Sequence, residues 1–201
     1  MLDRADTLVD LRVQRTRRLL REAFMYLMSQ KDFQSITVRD IAEQAQVHRT
    51  TFYDHFVDKY ELLEDAIRER FRQTMLDNAL QDSPFSEANL KRLIRITCDF
   101  LVQLHQHCLP RVQQVFQLVQ TQITMVIAEL LTVWLQKHQT RNSVDTPSLQ
   151  LRAAISSWAI YGAAFQWYQN QQRMSVETLT ASTLPLIMMS LVQGTPNSEI
   201  S

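Results

Sequence analysis

The sequence predicts an all-α protein, and three observations predict it. Glycine is scarce, with two in 201 residues. Hairpin turns of the Asn-Gly or Asp-Gly kind are missing and alternating Val/Ile/Thr runs are few, so strands lack both material and punctuation. Long stretches instead repeat apolar residues every three to four positions, the period of a helix that buries one face. About nine helices are expected.

Taken in order, the first helix is expected from Arg12 to Met28. Val13, Leu19, Leu20, Ala23, Phe24 and Leu27 form its apolar stripe, and Arg15, Arg17, Arg18 and Arg21 its polar face. After the loop 29–35, Thr37 stands where an N-cap belongs and Asp40 follows three residues on, the arrangement that satisfies free backbone N–H groups at a helix start. A short second helix, Val38 to Gln44, buries Val38, Ile41 and Ala42. Residues 45–47 turn, and a third helix runs from about 48 to 56. The fourth begins near Asp58 and extends towards Leu80, where a segment containing Pro84 closes it. Ser86 caps a fifth helix through about Gln106, and residues 111–139 keep the helical pattern. Residues 140–147 are the most loop-like stretch, followed by a helix from Ser148 to Asn170. Ser175 caps the last one, which runs to Gly194. Pro185 has no N–H to give and is expected to kink or split it. The layout divides into residues 1–57 and 58–201.

Composition excludes several function classes. P-loops, dinucleotide fingerprints and oxyanion turns need glycine backbones, which Gly162 and Gly194 cannot supply. Cys98 and Cys108 are too few for a secreted disulfide framework. No apolar run is read as reaching the roughly 18–20 residues of a membrane span. The N-terminus carries Asp3, Asp6 and Asp10 without an apolar core, so no signal peptide is read and a cytoplasmic protein is expected. The whole chain has zero net charge. Residues 11–59 hold nine basic against six acidic residues, an excess too small to announce nucleic acid by itself.

The segment 37–59 carries the functional signal. A helix-turn-helix braces one short helix against the phosphate backbone while the next lies in the major groove. It needs a small apolar core and a polar outer face on the second helix. Ile41, Ala45, Val47, Phe52 and Phe56 supply the core, and His48, Arg49, Thr50, Tyr53 and Asp54 remain outside. With Thr37, Ala42, Thr51, His55 and Lys59 at their places, this segment resembles the DNA-binding signature of TetR-family regulators, Thr-x-x-x-Ile-Ala-x-x-Ala-Gly-Val-Ser-x-x-Thr-Leu/Phe-Tyr-x-His-Phe followed by Lys. Counting the preceding helix, the match spans about 50 residues; the remainder is similar only in length and helical layout.

The resemblance implies phosphate contacts from Thr37, Tyr53 and Lys59, and base or flanking-phosphate contacts from His48, Arg49 and Thr50, with Arg49 able to bond a guanine bidentately. His55 is either a DNA contact or a packing residue. Three positions depart from the pattern. Gln46 replaces the turn glycine and is expected in a left-handed conformation. Thr50 replaces a smaller residue, and Asp54 stands where a basic residue is frequent.

The larger half is expected to sense and to dimerise. Two recognition helices about 34–36 Å apart suit a palindrome, so a homodimer through the last two helices is implied. Ala153, Ser157, Ile160 and Ala164 form a small-residue stripe that permits close approach, with Leu179, Leu184, Ile187, Met188 and Leu191 on the last helix. An effector pocket is expected from Phe100, His105, Phe116, Met125, Trp134, Trp158, Tyr161 and Phe165, mostly apolar with few polar groups. Glu129 and Asp99 lie on solvent-facing stripes. His105 and Cys108 do not make a four-ligand zinc site, so neither metal nor cofactor is expected. The reading is therefore an effector-released repressor on double-stranded DNA and not an enzyme. An all-helical enzyme, or an adaptor using the helix-turn-helix for protein contacts, is the alternative.

Overall fold

The computed structural model describes residues 4–107, 116–138, 146–171 and 173–192, so Cys108, Gly194 and most of the loop 140–147 lie outside the described residues. Among the described residues eight α-helices and one 3-10 turn follow in order: α1 (Arg4–Gln30), the turn Phe33–Ser35, α2 (Val38–Gln44), α3 (Arg49–Tyr53), α4 (Lys59–Asp77), α5 (Glu87–His107), α6 (Phe116–His138), α7 (Thr146–Gln169) and α8 (Val176–Val192). No strand occurs among the described residues. Helix α1 starts earlier than expected because Ala5, Leu8 and Leu11 are strong helix formers and no Gly or Pro stops them. Helix α3 is shorter than the expected 48–56, since His48 is its N-cap and the chain turns at Asp54. Helix α8 is continuous through Pro185 and is not split.

Helix α6 corrects one expectation. It is long and apolar enough, by length and composition, to cross a membrane, yet 56% of its most apolar window is buried inside the protein. We read it as a core helix, since Val119, Ile123, Ile127, Leu131 and Trp134 along it are almost completely buried.

The chain forms two compact units. The first comprises Met1–Glu69 with Leu104–Val119. Leu20, Phe24, Phe33, Ile41, Phe52 and Phe56 are completely or almost completely buried in it. Phe33 meets Phe24 and Tyr60 edge-on, at 6.2 and 5.0 Å between ring centres, a favourable arrangement of ring quadrupoles. The second unit comprises Arg70–Gln103 with Gln120–Ser201. Its core includes Phe71, Phe100, Ile123, Ile127, Trp134 and Tyr161.

Glycine scarcity shows in how helices stop. Gln46, Ala79 and Gln171 have φ of 54°, 50° and 56°. Val47 N–H reaches back to the Ala42 carbonyl and Leu80 N–H to the Met75 carbonyl, both at 3.0 Å. These are the bonds of a helix end whose reversing residue is left-handed, a place normally given to glycine. A side chain there costs roughly 1–2 kcal/mol. Gln46→Gly and Ala79→Gly are each expected to raise stability by about 1 kcal/mol in urea unfolding; a loss of stability in both would show that the strain is absent.

Candidate nucleic-acid interface and effector core

The helix-turn-helix is assembled by caps. The Thr37 hydroxyl accepts from Asp40 N–H at 3.1 Å, and Asp40 Oδ2 accepts from Thr37 N–H at 2.8 Å and from the Thr37 hydroxyl at 2.9 Å. The backbone N–H of Thr37, then its hydroxyl, hold the Asp40 carboxyl below the usual range, and Lys31 adds an ion pair at 3.2 Å. Thr37 is exposed, but its side chain is already occupied by the cap. At the start of α3, His48 Nδ1 accepts a long bond from Thr50 N–H at 3.4 Å and lies 2.8 Å from the Thr50 hydroxyl.

Buried Phe52 anchors α3 and leaves Arg49, Thr50 and Tyr53 outside. Arg49 stands over the Tyr53 ring at 5.6 Å and donates to its hydroxyl at 3.1 Å. The pair is one turn apart, so a single exposed patch joins a guanidinium, a phenol and a threonine hydroxyl. Such a patch can contact base edges and phosphate oxygens together.

Two of the expected DNA contacts also make bonds within the chain. Lys59 Nζ donates to the carbonyls of Phe33, Gln34 and Ile36 at 2.9, 3.1 and 2.9 Å and sits over the Phe33 ring. It caps the carbonyls of the 3-10 turn, and burial draws its pKa down. His55 is half-buried, and its carbonyl accepts from Arg17 at 3.4 Å.

The residues that hold the interface in place were missed in the sequence. Asp65 on α4 takes Arg17 on one carboxylate oxygen and Arg21 on the other, each at 2.9 Å. Arg17 also covers the Phe56 ring at 4.4 Å. Arg17 and Arg21 share a helical face, which is legible, but nothing local pairs them with a carboxylate 48 and 44 positions away.

The expected pocket residues are divided between the two units. His105 and Phe116 belong to the first unit, with ring centres 6.4 Å apart. The others belong to the second. Phe100 meets Phe71 at 4.7 Å, and buried Trp134 donates its indole N–H to the Leu80 carbonyl at 3.2 Å. Tyr161 is fully buried and stacks nearly parallel on half-buried Phe165, 5.9 Å between centres. Met125 and Trp158, by contrast, face outward at 43% and 50% exposure, because they lie on the uncovered sides of α6 and α7. Two clefts of about 600 and 470 Å³ open in the second unit, and neither is lined by any of the eight residues. Glu129 is exposed and pairs with Arg72 at 2.6 Å; Asp99 is exposed as expected.

The Tyr161 hydroxyl is buried without a hydrogen-bond partner. Burial pushes its pKa above the usual tyrosine value. An unpaired buried hydroxyl costs about 1–3 kcal/mol, so it calls for an explanation. Cys98 is also fully buried, and burial, with Asp99 adding to it, pushes its thiol up to about 12. Because the thiolate is the reactive form, iodoacetamide at pH 8 should leave Cys98 unmodified in the folded protein and modify it in urea, as read by peptide mass mapping. Among the described residues no three His, Cys, Asp or Glu side chains converge to hold a metal ion.

The small-residue stripe is also placed differently. Ala153, Ser157, Ile160 and Ala164 are all buried within the single chain, as are Leu179, Leu184, Ile187 and Leu191. They pack α7 and α8 inside the subunit, where Ser156 and Ser190 share a hydrogen bond at 2.7 Å and Arg152 donates to the Ser190 carbonyl. The surfaces left over are apolar. Leu151, Ile155 and Trp158 on α7 and Leu186 and Met189 on α8 are each half or more exposed.

A capped helix pair with a buried aromatic anchor and a polar outer patch defines a helix-turn-helix DNA-binding protein. Residues 20–66 match the family of bacterial regulatory proteins of the tetR type, which identifies that segment as a TetR-type N-terminal domain. It is 37% identical over 84 residues to the uncharacterized HTH-type transcriptional regulator YxbF of Bacillus subtilis, a match covering 41% of this chain and 22% of that protein. The chain thus spans about a fifth of that curated relative. Solved structures extend the likeness in fold over most of the chain. A TetR regulator from Rhodococcus sp. RHA1 superposes with a TM-score of 0.55 at 14% identity, covering 90% of this chain and 99% of that one. FadR from Bacillus subtilis in complex with stearoyl-CoA gives 0.50 at 18% identity, covering 86% and 98%.

Proposed function

We propose that the protein is a homodimeric, effector-released repressor of a palindromic operator in the cytoplasm, with DNA binding in residues 1–57 and sensing and dimerisation in 58–201. The observation that carries it is the exposed Arg49–Thr50–Tyr53 patch on a helix fixed from behind by Phe52. Arg49 reads bases, Tyr53 and Thr50 meet phosphates or base edges, and His48 orders the start of α3. Thr37 supports the brace helix through its cap. The dimer surface is the exposed apolar set on α7 and α8, and the effector enters the core of the second unit. That FadR was solved with stearoyl-CoA supports a small-molecule ligand for this fold without naming the one used here. Catalysis plays no part in this reading.

Titration of the full chain against duplex DNA from its own upstream region tests it. Arg49→Ala is expected to weaken binding about 10–100-fold and relax discrimination at one base pair per half-site. Tyr53→Ala should weaken binding to every sequence alike. An adaptor reading predicts no salt-dependent DNA binding at all, and that result would remove ours.

A further inference from the structure

The polar side chains buried in the second unit are hydroxyls and one amide: Thr97, Gln122, Thr124, Ser156, Ser157 and Thr180. No Asp, Glu, Lys, Arg or His is buried among its described residues. Thr97, Thr124, Ser157 and Thr180 each give their proton to a carbonyl of their own helix, and Ser156 bonds Ser190. Tyr161 differs: fully buried, its hydroxyl has no partner. An ionised group entering this core would meet no counter-charge, a heavy penalty. A neutral oxygen would find one O–H donor waiting.

We infer that the buried part of the effector is uncharged and apolar, and that it presents one acceptor oxygen to the Tyr161 hydroxyl. This rests on the sensing role proposed above for the second unit. Aromatic neighbours favour a ring: half-buried Phe165 is stacked on Tyr161. A ligand with an acidic or basic headgroup leaves that headgroup outside the core. In the effector-free protein the orphan hydroxyl is a standing cost, and binding relieves it. Recognition of a missing partner discriminates more sharply than apolar contact, because an analogue without the oxygen leaves the donor unpaired.

A matched set of probes tests this: acetophenone (ring and neutral carbonyl), ethylbenzene (ring without oxygen) and benzoate (ring and charge). Each is added in millimolar excess to the full chain and to Tyr161→Phe, with thermal unfolding as the readout. Acetophenone is expected to raise the wild-type Tm, ethylbenzene to raise it less, and benzoate not at all. In Tyr161→Phe the advantage of acetophenone over ethylbenzene should vanish, with its apparent Kd weakened about 3–10-fold, while the variant alone melts higher than wild type. That opposite pair of changes is something a purely structural tyrosine would not give. Stabilisation by benzoate equal to that by acetophenone, an unchanged preference in Tyr161→Phe, a lower Tm of the variant alone, or no response of wild type to any probe overturns the inference. Release of operator DNA is measured in parallel. Tm shifts without release leave the core site standing and remove the switch; release without a Tyr161 dependence does the reverse.

Discussion

Ile155→Asp is expected to turn the proposed dimer into monomers and to lower affinity for a palindromic operator at least 100-fold. Leu151, Ile155 and Trp158 follow one face of α7 at helical spacing, and Leu186 and Met189 add to the apolar surface of the helix packed beside it. Five large apolar side chains half or more exposed on two adjoining helices are a surface that water disfavours. A carboxylate introduced there stays hydrated in the monomer, so folding of the single chain changes little, but in a closed interface it would be buried unpaired. Losing the second subunit removes the gain from two linked half-site contacts, which reaches 10²–10⁴. Sedimentation velocity reads the mass and DNA titration the affinity. Dimers that persist at micromolar concentration would place the interface elsewhere. Ala153→Asp is the informative contrast: Ala153 is buried within the subunit, so this change should unfold the chain rather than split the dimer.

Asp65→Ala is the second large effect, and it acts within one chain. The carboxylate is 17% exposed and holds two guanidinium groups, Arg17 at 32% and Arg21 at 20%. Exposed ion pairs contribute a fraction of a kcal/mol, whereas breaking buried ones costs about 3–5 kcal/mol. This half-buried pair of contacts falls between, and its loss is expected to cost about 2–3 kcal/mol in urea unfolding. Like charges of Arg17 and Arg21 would then face one another without their shared anion. DNA affinity should fall with the stability of the unit and recover at lower temperature, unlike the loss from Arg49→Ala. A change below about 0.5 kcal/mol would show that solvent already screens the clamp.

The local parts of this molecule were legible in its sequence. The cap Thr37–Asp40, the left-handed Gln46, the buried Phe52 and the exposed Arg49 and Tyr53 all depend on neighbours within a few residues. Lys59 and Asp65 were not, because their partners lie more than 20 positions away and only the tertiary fold selects them. Periodicity also finds a stripe without telling what covers it. For this reason the Ala153–Ala164 stripe, read as a dimer surface, belongs to the interior, and Trp158, read as pocket, faces outward. The Tyr161 hydroxyl could not be recognised as unpaired until every helix around it had been placed.

The three carbonyls around Lys59 bear on how the protein responds to ionic strength. Duplex DNA carries condensed counterions, and each phosphate neutralised by a protein cation releases some of them, steepening the fall of log K against log salt by about 0.9. An ammonium already committed to Phe33, Gln34 and Ile36 releases none. The salt slope of DNA binding should therefore be shallower, by about one per half-site, than a count that includes Lys59 as a phosphate contact would suggest, so that binding survives a rise in potassium concentration better than the small basic excess of residues 11–59 implies.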